Sequence, residues 1–227
     1  MSKAFLKTLA KERHELLPLI IEFNRSPARY IHGSWIHPII KPPFFEKLRK
    51  NIRSEKILSA LVLRQFDLDQ DHYFDFEDPK RRLALIDGKS LSRLVYLSGI
   101  VLNASRISKI IEREALLSLR NQIGDEAYLF ALKKAPFLIG RMEFPFAEDQ
   151  KSQDLQAHLI ACGMKCLEAC FFGERAALTK RLLFKLPKEL CRNFGERPFG
   201  EGRDRAWSLL RRVLLQEVDP RWAPCFS

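Results

Sequence analysis

His158, Cys162, Cys166 and Cys170 recur every four residues, the interval at which side chains share one face of a helix. An imidazole with three thiols is a donor set for zinc, but structural zinc sites draw their ligands from two separated pairs. Projection at 3.6 residues per turn puts Leu155, Leu159, Cys162, Cys166 and Cys170 on one apolar stripe, and His158 at the polar edge with Asp154 and Lys165. The thiols therefore read as core packing, since buried cysteine behaves as a small hydrophobe. The run Asp67-Leu-Asp69-Gln-Asp71-His72 opens like a calcium loop, with carboxylates at positions one, three and five. It then fails, with His72 where the sharp turn needs glycine and Asp78 where a longer glutamate supplies two oxygens. Asp67, Asp69 and Asp71 are expected instead to form a solvated acidic surface that meets a basic partner. His32 and His37 flank Trp35 without a carboxylate in any catalytic pattern, and read as structural. No phosphate loop, dinucleotide fingerprint or nucleophile elbow occurs, so no catalytic residue, cofactor or metal is expected.

The formal net charge is +11, from 39 Lys and Arg against 28 Asp and Glu. Such a surplus attracts nucleic acid, anionic lipid or an acidic protein surface, and the sign alone does not choose. Charge is also unevenly placed. Asp67, Asp69, Asp71, Asp75, Glu77 and Asp78 crowd one stretch, whereas Arg203, Arg205, Arg211 and Arg212 dominate the last helix. In that helix Arg205 and Arg212 oppose an apolar arc of Ala206, Trp207, Leu210, Val213 and Leu214, the pattern of a packed helix with a solvated face. Residues 102–111 look like a helix, a turn and a second helix, but Ile107, Ile110 and Ile111 occupy the face where a DNA reader needs polar side chains.

The elements that must hold these residues read as helical. Glycine is sparse, no Asn-Gly or Asp-Gly hairpin joins alternating β-branched runs, and apolar residues repeat at three and four. Residues 2–16 are expected to form an amphipathic helix that stops near Pro18. Pro27, Pro38, Pro42 and Pro43, interleaved with Tyr30, Trp35 and Phe44, predict an extended aromatic-rich segment. A helix capped by Ser54 carries apolar residues nearly all round, which predicts burial. The helix at 90–103 is the expected core element. A third follows, capped by Ser105 or Ser108 and ended by Gly124, and then a short helix from Asp125 stopped by Pro136. Residues 136–152 read as a connection. Helices follow at 154–172, 175–186 and 204–218, and the cluster Gly195, Pro198, Gly200, Gly202 separates off the last. The expected class is all-α, a single irregular helical domain at 23–194 with an N-terminal extension at 1–22 and a C-terminal segment at 195–227 able to dock independently. The first 22 residues do not read as a secretory signal, and the longest uncharged apolar stretch, 94–105, is far short of the roughly 20 residues that span a bilayer. Five cysteines without dense even spacing fit a reducing compartment, so a cytosolic location is expected.

Three stretches in consistent order resemble one family. Phe23-Asn-Arg-Ser-Pro27-Ala-Arg-Tyr30-Ile-His32 is similar to an early Pro-x-x-Tyr-Leu-His pattern, and residues 61–71 look like a helix end followed by Leu-Asp-x-Asp. The third runs from Leu91 through Leu97-Ser-Gly99-Ile-Val-Leu102 to Phe137-Leu-Ile-Gly140, and Lys180–Pro187 adds a weaker match. Together they resemble the SctK (YscK-type) proteins of type III secretion. The resemblance implies a non-enzymatic cytoplasmic adaptor of the sorting platform, at the cytoplasmic face of the secretion base. It would join the cytoplasmic domain of the inner-membrane ring D subunit to the Q subunit of the pods, and through it the L subunit and the N ATPase. Tyr30, His32, Trp35, Asp67, Asp69, Asp71, Arg205, Arg211 and Arg212 are the candidate contact residues. The alternative is a basic nucleic-acid-binding or regulatory helical protein.

Overall fold

A computed structural model describes residues 3–11, 14–139, 154–195 and 202–226. Among them the fold is all-α, without a strand. In chain order the helices are α1 (Lys3–Lys11), α2 (Leu16–Arg25), α3 (Pro27–Tyr30), α4 (Pro42–Lys50), α5 (Ile52–Gln65), α6 (Pro79–Arg82), α7 (Gly88–Ser108), α8 (Arg113–Ile123), α9 (Asp125–Lys133), α10 (Ala135–Ile139), α11 (Leu155–Phe171), α12 (Ala176–Leu183) and α13 (Arg203–Val213). No helix is long and apolar enough to cross a membrane among the described residues.

Proline placement accounts for the main departures from expectation. Pro18 lies in the first turn of α2, where its missing N–H costs nothing, so it starts a helix instead of ending one. The Pro-rich segment is not extended throughout: Pro27 opens α3, and Pro42 and Pro43 open α4. Pro136 likewise sits inside α10, after α9 has already ended. The cap of α5 is Asn51, whose side chain accepts from Arg53 N (3.0 Å) and Ser54 N (3.4 Å), in place of Ser54. α7 runs unbroken to Ser108, so the turn expected within residues 102–111 falls later, at 109–112, and Ile111 in that link to α8 is 91% exposed. Gly124, at φ +84°, ends α8 as anticipated, a backbone angle that L side chains rarely adopt. The expected connection at 136–152 and the breaker cluster at 195–202 lie mostly outside the described residues.

The chain packs as two compact units, residues 1–91, 173–192 and 223–227 in one, and 92–172 and 193–222 in the other. Residue 22 bounds neither, because α1 packs on α2. The chain passes between units at 192–193. The final helix nevertheless packs on α11 and does not stand alone.

In the first unit α5 is flanked by α3 and α4, and α12 returns to the 3-10 turn Leu83–Leu85. Its core is rich in aromatics: Phe23, Phe76 and Tyr73 meet edge to face, and Trp35, Phe66 and Phe184 form a second cluster with centroids 4.8 to 5.8 Å apart. In the second unit α7 and α11 cross with their backbones in contact. A Cβ on Gly99 would stand 1.8 Å from Leu159 O, and one on Gly163 would stand 1.9 Å from Val95 O. The two glycines are reciprocal, each opening the space that the other helix's backbone fills. Ala206, Leu209, Leu210 and Val213 of α13 are buried in the same unit.

Candidate functional site

The candidate residues of the first unit gather around its aromatic clusters. Tyr30 stacks on Phe23 (6.1 Å, 16°) and donates its hydroxyl to Phe23 O at 2.6 Å, while burial pushes its phenol pKa up. Trp35 donates its indole N–H to Leu186 O at 2.9 Å and lies edge-on to Phe66 and Phe184. These two rings hold the segment in place more than they present it. His32 is exposed, with Nδ1 2.9 Å from Ser34 Oγ, and its backbone N–H donates to Phe184 O.

The acidic loop lies beside the same clusters, since Phe66 begins it. Its backbone is pinned from α12: buried Arg181 donates to Leu68 O and Ala177 O, each at 3.0 Å, and Lys180 donates to Phe66 O at 3.3 Å. Much of its charge is spent internally. Asp71 pairs with Arg175 at 2.6 Å, Asp75 pairs with Arg81, and Asp78 caps α6 by accepting from Lys80 N at 3.0 Å. Asp67, at φ +56°, with Asp69 and Glu77, remains exposed. The solvated face of this loop is therefore narrower than six neighbouring carboxylates imply.

In the second unit Arg205 and Arg211 are exposed on α13, and Arg212 donates to Leu138 O at 3.2 Å. The three cysteines of α11 are free and buried, as are Cys191 and Cys225, and burial pushes the Cys166 thiol pKa well up, which keeps it protonated and unreactive. His158 is also buried, not at a polar edge as its helical projection predicts. Two α7 side chains reach it, Asn103 Oδ1 at 3.3 Å and Arg106 at 3.4 Å from Nε2, and burial with the nearby Arg106 lowers its pKa. Three or more His, Cys, Asp or Glu side chains able to hold a metal are not found together among the described residues. A cleft of about 450 Å³ has Tyr96, Leu97 and Phe130 in its wall. Four of its charged groups pair with each other, Arg93 with Glu126 at 3.3 Å and Lys134 with Glu217 at 2.8 Å.

One feature has no counterpart in the sequence pattern, and a second corrects the burial expected of α5. Lys185 is buried, donating from Nζ to Ala84 O and Ile86 O at 2.6 Å each, and its ammonium lies 5.0 Å from the Tyr30 ring centre and 5.6 Å from that of Phe23. Burial pushes its pKa down to about 7. Its place between Phe184 and Leu186 in an apolar run is the one signal that could have marked it. The second feature is α5, which is buried on one side only: Ile57 and Leu61 are 73% and 40% exposed.

Comparison with known proteins places this geometry. The family described as YOP proteins translocation protein K (YscK) matches residues 20–226. The solved structure of the cytoplasmic domain of the T3SS sorting platform protein PscK from P. aeruginosa superposes with a TM-score of 0.55 at 23% identity, covering 87% of this chain and 93% of that one. No curated protein matches. The match spans the aromatic segment, the acidic loop, the α7–α11 crossing and α13 alike, and the chain belongs to the YscK family.

Proposed function

We propose that this protein is a non-enzymatic adaptor of the type III secretion sorting platform, acting in the cytoplasm at the secretion base and linking the D subunit of the inner-membrane ring to the Q subunit of the pods. The observation that carries this reading is the family match over residues 20–226, joined by the likeness to the cytoplasmic domain of a sorting platform protein. The chemistry is compatible. An adaptor needs two recognition surfaces on packed bodies, and exposed carboxylates, Asp67 and Asp69, sit on one unit while exposed guanidiniums, Arg205 and Arg211, sit on the other. Complementary charge of this kind acts mainly on encounter rate and specificity. The nucleic-acid alternative gains little from residues 102–111, because 102–108 continue α7 and Ile107, on the face where a DNA reader needs polar side chains, is buried.

The test is pairwise binding of the nuclease-treated protein to the D-subunit cytoplasmic domain and to the Q subunit. Asp69→Lys should slow association with one subunit, and Arg205→Glu with Arg211→Glu should slow association with the other, both without change in unfolding temperature. Binding of neither subunit, together with duplex DNA binding that weakens steeply with salt, would favour the alternative.

A further inference from the structure

The exposed side of α4 and α5 combines two properties that rarely occur together on a solvated face. Phe44, Ile52 and Ile57 are 62%, 71% and 73% exposed, while the opposite sides of the same helices bury Phe45, Leu58 and Val62. Leu48 follows Phe44 by one turn and Leu61 follows Ile57 by one turn, so each helix carries an outward apolar row. On the same two helices, which pack on each other, Lys47, Lys50, Arg53, Lys56 and Arg64, with Lys41 just before α4, are all exposed and without an ion-pair partner among the described residues. Carboxylates offset little of this. Glu46 pairs with Arg49, and Glu55 is buried against Ser59 and Arg29.

We propose that the α4–α5 face is a docking surface for an anionic phospholipid bilayer. Lysines spread along a surface are drawn to a sheet of phosphate headgroups, and the attraction grows with each cation near the surface. Protruding Phe and Ile side chains then enter the boundary between headgroups and acyl chains, the arrangement by which interfacial helices anchor. Two other polyanions fit less well. Nucleic acid would engage the cations but leaves Phe44, Ile52 and Ile57 without a role. A groove-seeking acidic helix needs sheltered apolar positions, whereas these stand proud of the surface. The site adds a membrane contact to the adaptor reading and does not depend on it.

Flotation of the whole protein with phosphatidylcholine vesicles, with and without phosphatidylglycerol, tests the assignment. Binding is expected only to the vesicles that contain phosphatidylglycerol. Lys47→Glu with Lys50→Glu and Lys56→Glu should abolish it. Phe44→Ser with Ile52→Ser and Ile57→Ser should weaken it roughly tenfold or more, with the unfolding temperature unchanged because all three side chains are exposed. The proposal is overturned if phosphatidylglycerol vesicles do not bind, or if the apolar variant binds them as tightly as the parent. It is equally overturned if the charge reversal removes binding to duplex DNA or to an acidic protein while vesicles never bind.

Discussion

Asn24 holds the acidic loop to α2 by giving both ends of its amide to one residue. Nδ2 donates to Tyr73 O and Oδ1 accepts from Tyr73 N, both at 2.6 Å, and Nδ2 also reaches Ile20 O at 2.9 Å. Truncation leaves two buried backbone groups of Tyr73 without partners, and an orphaned group costs more than a hydrogen bond contributes. Asn24→Ala should therefore lower stability by about 3 kcal/mol in urea unfolding, far above the effect of a surface change. Lys185 is a second buried polar anchor, and it makes stability depend on pH. An unfolded lysine keeps its proton up to about 10.5, whereas burial pushes Lys185 down to about 7 in the folded protein. Between those values the unfolded chain binds more protons, so stability rises with pH, at up to about 1.4 kcal/mol per unit. Either protonation state retains two N–H donors for the carbonyls of Ala84 and Ile86, so the contacts survive the titration. Unfolding measured from pH 7 to about pH 8, below the range in which the unfolded chain's thiols ionise, should show this rise in the parent protein, and Lys185→Met should remove it.

Helix existence was legible in the sequence wherever one face alone was apolar: α9, α11 and α13 lie close to where their periodicity predicts, while α8 ends before Gly124 as expected but starts at Arg113, because Ser105 and Ser108 belong to α7. Boundaries were lost where proline had two meanings. Pro18 and Pro136 read as stops and Pro42 as part of an extended segment, but a proline in the first turn opens a helix as readily as one in the interior breaks it. α5 shows a different limit: apolar residues nearly all round predict burial only if the chain itself supplies the cover, and here α3 and α4 cover one side. Among candidate contacts, the spacing found the exposed Asp69, Arg205 and Arg211, but it could not tell that Tyr30 and Trp35 are fastened inward or that Asp71 is paired. Gly99 illustrates what a motif hides. Its place in the family-like stretch Leu97–Leu102 is explained by the α7–α11 crossing, where any Cβ would overlap the Leu159 carbonyl. Alanine is favoured over glycine by about 1 kcal/mol in a helix interior, yet overpacking a backbone contact costs about 3 kcal/mol. The clash wins. Gly99→Ala and Gly163→Ala should each be strongly destabilising in thermal or urea unfolding, and their double variant should cost less than the sum, because separating the helices once relieves both contacts.

At the scale of the whole molecule, a net charge of +11 is carried by two packed units whose exposed charges differ in sign at the candidate surfaces. A long-range field of this kind steers a partner toward the protein and is weakened by salt, so it governs how fast complexes form more than how long they last. The residues buried in each unit serve packing, and Asp67 and Asp69 in one unit and Arg205 and Arg211 in the other are exposed. The central claim is that this protein joins two others. Its most direct measurement is sedimentation of three purified components, the D-subunit cytoplasmic domain, the Q subunit and this protein, after nuclease treatment and at moderate salt. The account predicts one faster-sedimenting species that contains all three, and separate D and Q species when this protein is left out. It would be contradicted if D and Q sediment together equally well without this protein, or if adding it leaves both in their separate peaks.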